Sequence, residues 1–413
     1  MPLVFSLACS ASDGGAAVSS PPPAASDTSD GSATDNSAAS GTAARPQLSA
    51  EDAEANTLLR YFEYAGDLAS GLRFDPWDPR AGVGAVDTLV ADFVVASAGG
   101  SHTTLQAAIA DAALMGGTER IYIRMEPGIY REVICVPVEA PPITLYSLDA
   151  DASLSTVVFN NNQTKPKLVN VPANPCNPNL MGETYGTSGS ATFAVYADGF
   201  RAKNITFAND FEENGLTMGT QAPALMTAAD QLIFENIRVI SHHDSLYPKT
   251  SAVGIVQRVY FKDIYVEGDE DFIFGRATAV FEHCTIHYLS SRRGPSNSGF
   301  GVVPSTDVRN DHGMLIIDSD LTAEPGTPED SVFIGRAWDE SQVDLATYKM
   351  NMTTGIFPNG KAVVRDSRLG AHIFRDSPWA PSAIVGRPFH SVDTETPANR
   401  LYELNNSGPG AAP

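Results

Sequence analysis

Several things are scarce in this chain, and each scarcity excludes a class. Its 413 residues hold only four cysteines, Cys9, Cys135, Cys176 and Cys284, none in a C-x-x-C pair, which argues against a zinc site. Basic residues are few: 27 lysines and arginines face 49 aspartates and glutamates, a net charge of −22. Such a surface repels nucleic acid and anionic membranes. No apolar run is long enough to span a bilayer as a helix. The nucleophile elbow Gly-x-Ser-x-Gly is absent, Gly186-Thr187-Ser188-Gly189-Ser190 having the wrong spacing. So are the His-Glu-x-x-His zinc motif and the glycine-rich phosphate loop. What remains for chemistry is carboxylates.

Composition divides the chain. Residues 10 to about 50 are Ser, Ala, Gly, Asp, Thr and Pro with almost nothing to bury, as in a flexible tether. Cys9 follows a short apolar stretch and the small residue Ala8, an order resembling the end of a bacterial lipoprotein signal. We therefore read residues 1–52 as a signal remnant and tether and residues 53–413 as one folded domain, exported and with a possible lipid anchor at Cys9. In an exported chain Cys135 and Cys176 can form a disulfide. Cys284, inside an apolar strand pattern, reads as a buried free thiol.

The spacing of Leu58, Leu59, Phe62 and Tyr64 predicts a short amphipathic helix over 53–64. Thr103-Thr104-Leu105-Gln106 predicts a capping box, in which Thr103 accepts from the amide of Gln106. A helical stripe of Leu105, Ala108, Ile109 and Ala112 follows and ends at Gly116-Gly117. Beyond that helix one pattern recurs: Asn, Asp or His, then a small or apolar residue, any residue, and a large apolar one. It occurs at Asn204, Asn236, Asp263, His283, Asp318 and Asp366, spaced by 32, 27, 20, 35 and 48 residues. Hairpins would show Asn-Gly or Asp-Gly turns instead. A polar corner repeating at such intervals suits a solenoid with one tight turn per coil and loops of variable length elsewhere. The fold expected is all-β, a right-handed single-stranded parallel β-helix with a helical N-terminal cap.

Two carboxylates stand out. Asp271 lies in Gly268-Asp269-Glu270-Asp271-Phe272-Ile273-Phe274-Gly275, at the edge of an apolar strand, where partial desolvation readies a carboxylate for chemistry. Asp244 lies 27 residues earlier, also just past a strand. That offset matches one coil and places both side chains on one face of adjacent coils.

Five motifs in order now carry a resemblance: Gly128-Ile129-Tyr130-Arg131-Glu132, Gln221-Ala222-Pro223-Ala224-Leu225, His243-Asp244-Ser245-Leu246-Tyr247, Asp271-Phe272-Ile273-Phe274-Gly275 and Ile334-Gly335-Arg336-Ala337-Trp338. Together the chain resembles the pectin methylesterases, and its tether resembles those of an outer-membrane lipoprotein branch. The resemblance implies a parallel β-helix, methylated pectin as the polysaccharide substrate, a monomer, and neither metal nor cofactor. It implies Asp271 as nucleophile, Asp244 as acid and base, Gln221 as an oxyanion donor and Arg336 as the group orienting Asp271. Trp338 and Phe274 would wall the sugar site, with Thr187, Arg292, Asn297 and Phe300 as further substrate contacts.

Three departures from the family pattern qualify these roles. His243 replaces a second oxyanion glutamine, Ala337 replaces a proline and is expected to loosen its turn, and Glu270 adds a charge beside the nucleophile. The segment between the two aspartates is also longer than is usual. Two alternatives stay open: an esterase or acyl-CoA thioesterase acting on another substrate, and a non-catalytic surface glycan binder. A pectate lyase would need calcium-binding acid clusters, for which there is no clear arrangement.

Overall fold

In the computed structural model the described residues are 41–167, 176, 183–216, 218–292, 299–389 and 396–412. From Ile121–Met125 onward, successive strands of the solenoid do not pair with their chain neighbours. They are dealt in turn to three parallel sheets of ten, eight and seven strands. One coil runs Leu232–Glu235, Arg238–Ile240, Leu246–Pro248; the next runs Arg258–Lys262, Tyr265–Gly268, Ile273–Gly275. Each strand lies in register on its counterpart one coil away, as in Phe234↔Phe261, Val239↔Val266 and Leu246↔Ile273. This is the parallel β-helix expected.

The recurring polar residue sits at the corner from the ten-stranded to the eight-stranded sheet. Asn204, Asn236, Asp263, His283, Asp318 and Asp366 all have φ between 47° and 62°. Most side chains resist that left-handed conformation, whereas Asn and Asp, and to a lesser degree His, tolerate it. The corner amides also stack: Asn236 Nδ2 donates to Asn204 Oδ1 at 2.8 Å, and Asn204 Nδ2 to the Ser147 carbonyl at 3.0 Å. The next residue of each repeat, from Ile205 to Ser367, is buried. Inside the coils Phe234, Phe261 and Phe281 stack face to face, with centroids 5.2 and 4.7 Å apart. Truncating such a ring to Ala costs about 3–5 kcal/mol, so the aromatic column is a large share of stability.

The helix Leu105–Met115 packs at the N-terminal end of the solenoid, burying Leu105, Ala108, Ile109 and Ala112. Its start corrects one expectation: Thr103 does not cap it, and the N-cap Thr104 makes no side-chain cap bond. Instead Glu132 accepts from the amides of Leu105 and Gln106 at 3.0 and 3.1 Å, and Gln106 pairs with the backbone of Cys135. A carboxylate at a helix N-terminus meets the positive end of the dipole, which gives Glu132 of the first motif a structural task.

The segment over 53–64 is not one helix. Ala50–Ala55 and Leu58–Tyr61 form two short helices, broken at Asn56, which is buried and accepts from the Tyr61 hydroxyl. Tyr61 and Phe62 are buried while Leu59 and Tyr64 are exposed. The buried pair covers the outer face of the ten-stranded sheet at Ile233, Tyr260, Val280 and Leu315. Part of the stretch read as tether is also packed. Arg45 forms a buried ion pair with Glu403 at 2.8 Å, and Gln47 bridges to the last strand, Arg400–Leu404. Low complexity hid these contacts because their partners lie some 350 residues away.

Cys135 and Cys176 form a disulfide with Cα atoms 5.4 Å apart. Cys284 is a buried free thiol, its pKa pushed up to about 12 mainly by burial, so it is no nucleophile at neutral pH. Cys9 lies outside the described residues.

Candidate active site

The candidate residues gather on the seven-stranded sheet: Gln221, His243, Asp244 and Asp271 at the turns by which the chain enters a strand, and Arg336 and Trp338 just past the strand Phe333–Gly335. Register decides what meets what. Because Leu246 pairs with Ile273, Asp244 falls opposite Asp271 and His243 opposite Glu270, the latter as an explicit bridge. The amide of Asp244 donates to the Glu270 carbonyl at 3.1 Å. One coil earlier the amide of Ala222 donates to the His243 carbonyl, which brings Gln221 to the same edge. The 27-residue offset is therefore one coil, as the sequence implied.

Asp244 and Asp271 are themselves left-handed, with φ of 65° and 47°. Such backbone costs of order 1–3 kcal/mol and persists where the surroundings impose it. Both carboxylates are largely buried, 6% and 8% exposed. Behind them strand alternation takes over: Phe272 and Ile273 join the interior core, while Phe274 faces outward and stacks on Tyr247 at 4.1 Å. The motif glycines have steric reasons. A Cβ on Gly275 would lie 2.2 Å from the Pro248 carbonyl oxygen, and one on Gly335 1.9 Å from that of Val302.

Arg336 grips the Asp271 carboxylate with both arms of its fork, Nε at 3.1 Å and Nη2 at 2.8 Å. Its other side is held by Phe300, whose ring centroid lies 3.9 Å from the guanidinium carbon. Phe300, expected to touch substrate, thus serves first to orient Arg336. Ala337 does not leave the turn loose. The amides of Arg336 and Trp338 donate to the carbonyls of Val302 and Pro304 at 3.2 and 2.9 Å, fixing the backbone on both sides of it.

Gln221 has its Oε1 enclosed without a hydrogen-bond partner among the described residues, and its Nε2 makes no bond there either. An amide donor left unused on the sheet edge that carries both aspartates is available to an incoming oxyanion. His243 is placed differently from expectation. Its Nδ1 lies 2.8 Å from Thr220 Oγ1 and its Nε2 points at Asp244 Oδ1, 3.4 Å away. The ring steadies the acid more directly than it addresses an oxyanion.

Trp338 completes an aromatic wall, 5.6 Å from Phe274 and 6.1 Å from Tyr247. Sequence reasoning misses Tyr247 for this wall, although its alternation with Leu246 in the third motif carries the signal. Thr187 lies on the short helix Gly186–Gly189 and donates to Gln163 Oε1 at 2.6 Å. The backbone amide of Gln163 donates to the Gln221 carbonyl, so Thr187 is tied to the oxyanion side. Arg292 is engaged already: Asp269 takes its Nε and Nη2 at 2.6 and 2.7 Å, and Glu213 its Nη1 at 2.5 Å. It stands with His242 in a depression of about 410 Å³ formed by residues 211–216. Burial first, and then Arg292, pulls the His242 pKa below the usual histidine range. Asn297 lies outside the described residues.

One grouping bears on metal binding. His243, Glu270 and Asp271 offer ligand atoms within 4.8 Å of one another. Arg336 Nη2 already lies 2.8 Å from Asp271 and 3.7 Å from Glu270. A cation there would have to displace or outcompete a guanidinium.

Comparisons with known proteins identify the family. A family model described as Pectinesterase matches residues 92–363. The chain is 43% identical over 376 residues to a pectinesterase of Ralstonia solanacearum, covering 91% of this chain and 93% of that one. It is 32% identical to pectinesterase B of Dickeya dadantii, over 88% of this chain and 90% of that one. The solved structure of the rice weevil pectin methyl esterase superposes with a TM-score of 0.74 at 30% identity, over 91% of this chain and all of that one.

Proposed function

The chain belongs to the pectinesterase family, and we infer that it hydrolyses the methyl esters of galacturonate in pectin by attack of Asp271. The observation that carries the assignment of roles is the coil-to-coil register of Asp244 with Asp271, together with the Arg336 fork on the latter. An Asp271 oxygen adds to the ester carbonyl carbon. The resulting oxyanion takes a hydrogen bond from Gln221 Nε2, an interaction worth about 3 kcal/mol when preorganised. Collapse breaks the bond to the methoxy oxygen, which leaves as methanol with a proton from Asp244. Asp244, now a base, takes a proton from water. The hydroxide attacks the sugar acyl carbon, releases the galacturonate carboxylate and restores Asp271. Arg336 holds the nucleophile aimed, since a bidentate guanidinium fixes both oxygens. Trp338, partly exposed, supplies apolar surface for a sugar face, with the nearly buried rings of Phe274 and Tyr247 packed beside it.

Methylated pectin is the partner this site addresses. Export to meet it is supported by the Cys135–Cys176 disulfide, which persists in oxidising compartments, and an anchor at Cys9 by the order of residues around it. The test is methanol release from highly methylated pectin by the purified protein, with absorbance of unsaturated products followed in parallel. Methanol without unsaturated product supports the reading. Hydrolysis of an acyl-CoA thioester without methanol from any pectin overturns it.

A further inference from the structure

His243 stands where the resemblance led us to expect a glutamine. The exchange changes what the position demands of its neighbours. A side-chain amide carries its N–H donors whatever surrounds it. A neutral imidazole carries one N–H, on either nitrogen, and the partner of the other nitrogen decides which. The same position therefore needs a second residue to keep a donor aimed at Asp244. The turn holding residues 220–222 meets the turn holding 241–243 at this ring. The Ser241 hydroxyl donates to the Ala222 carbonyl at 2.7 Å, and the amide of Ala222 donates to the His243 carbonyl at 3.0 Å. The third tie is the 2.8 Å contact of Thr220 Oγ1 with His243 Nδ1. Thr220 is buried, and among the described residues its hydroxyl makes no other hydrogen bond.

The far side of the ring faces acceptors. Asp244 Oδ1 lies 3.4 Å from Nε2, and a ring nitrogen of His243 lies within 4.8 Å of oxygens on Glu270 and Asp271. The cation of this cluster, Arg336, is turned to the latter two, 2.8 Å from Asp271 and 3.7 Å from Glu270. A proton on Nε2 matters twice in the hydrolytic cycle. Before methanol leaves, a bare Nε2 would compete for the proton that Asp244 has to deliver. Afterwards Asp244 is a carboxylate, and a bare nitrogen would set lone pair against lone pair. An N–H at Nε2 answers both conditions. A partner at Nδ1 that can only accept, such as a backbone carbonyl, would hold the proton on Nδ1 and leave Nε2 of the neutral ring bare. A hydroxyl donates to a bare Nδ1 and, turned about its C–O bond, accepts from a protonated one. With acceptors crowded at Nε2 and this adaptable group at Nδ1, the single proton of the neutral ring stays on Nε2.

We propose that Thr220 is a positioning residue for the acid Asp244: its hydroxyl holds the His243 ring with an N–H at Nε2 toward Asp244, whether the ring is neutral or cationic. The proposal rests on the hydrolytic reading for the step it serves and adds a residue to that step. Thr220 acts only through His243, and it makes the imidazole as unconditional a donor as the amide expected in its place.

The experiment uses the full chain and its Thr220→Val and Thr220→Ser variants, with matched melting temperatures as the check on folding. Nitrogen-15 NMR of histidine-labelled protein shows which ring nitrogens carry protons and needs no turnover. The His243 signals are identified by their loss in His243→Gln. Spectra are taken at about pH 5 and about pH 8, either side of the usual histidine range. Wild type is expected to show Nε2 protonated at both, and Thr220→Val a mixture of the two tautomers at the higher pH. In methanol release from highly methylated pectin, Thr220→Val should lower kcat about tenfold, the order of one hydrogen bond. KM should change little, because the effect falls on proton transfer, and Thr220→Ser should restore most of the rate. A wild-type ring with Nε2 bare at the higher pH overturns the proposal, and this result stands without any variant. Wild-type kcat in Thr220→Val also overturns it, as does a loss that Thr220→Ser does not rescue. If wild type releases no methanol from pectin, the hydrolytic reading fails, and the spectra still decide whether Thr220 sets the proton on His243.

Discussion

Removing the Arg336 fork is the sharpest perturbation of the site short of removing a carboxylate. Arg336 donates to Asp271 through Nε at 3.1 Å and Nη2 at 2.8 Å, with its face against Phe300. The pair is largely buried, at 19% and 12% side-chain exposure, so solvent screens it little. Two charge-assisted hydrogen bonds are worth about 1.5–3 kcal/mol each. A Coulomb estimate near 4 Å at an effective dielectric of 20 gives about 4 kcal/mol. A loss of about 3–4 kcal/mol corresponds to roughly a hundredfold to thousandfold in rate. Arg336→Met should therefore lower kcat for methanol release by that factor, with a smaller change in KM, because the fork acts on the nucleophile and not on the sugar. Arg336→Lys keeps a charge but loses the planar fork and its seat on Phe300, and should fall between. Steady-state kinetics on highly methylated pectin, with thermal melts to show that the variants fold, supply the comparison. If Arg336→Met keeps kcat within about threefold of wild type, a shift below 1 kcal/mol, this guanidinium does not hold Asp271 ready for attack and the role assigned to Arg336 is wrong.

Two further outcomes follow from neighbouring residues. His243 sits between Thr220 and Asp244; His243→Gln, which still offers Asp244 a donor, should stay within about tenfold of wild type, whereas His243→Ala, which leaves the acid unsteadied, should lose on the order of a hundredfold in methanol release. Equal rates for wild type and His243→Ala would reduce the residue to a corner of the solenoid. His372 is buried beside Tyr288, and burial, then His287, brings its folded pKa down to about 4 from 6.5. The unfolded chain thus binds a proton that the folded protein refuses, so the contribution is full above pH 6.5 and is lost as pH falls towards 4. The loss is on the order of 3 kcal/mol, and urea midpoints across this window should show it in wild type and not in His372→Phe.

What was legible in the sequence was local or periodic. The corner residues Asn204 to Asp366 betray themselves because a left-handed backbone selects Asn, Asp and His whatever the rest of the coil does. The pairing of Asp244 with Asp271 was readable because each carboxylate stands just past a strand of its own coil, and their 27-residue offset equals the spacing of the corners Asn236 and Asp263 that flank the same coil. What was not legible depends on partners far away in sequence. Thr103 satisfies a local capping rule, yet Glu132, some 27 residues on, takes the amides first. Arg45 looks like tether until Glu403 is seen to bury it. Phe300 and Arg292 read as substrate contacts until Arg336 is found on the face of the one and Asp269 and Glu213 close on the other. Ala337 in place of proline suggests a loose turn, but the restraint comes from hydrogen bonds to the coil below. Alternation with Leu246 marks the face that Tyr247 takes, but not the wall, which is assembled from three coils.

The central claim is that the Asp271 carboxylate attacks the ester. Asp271→Asn keeps the shape, and its side-chain oxygen can still accept from Arg336, while the nucleophile is replaced by a very poor one. The direct measurement is methanol release from highly methylated pectin by wild type and purified, folded Asp271→Asn. Steady release by wild type and none above background by the variant is the expected result. Release by Asp271→Asn at a rate near that of wild type contradicts it.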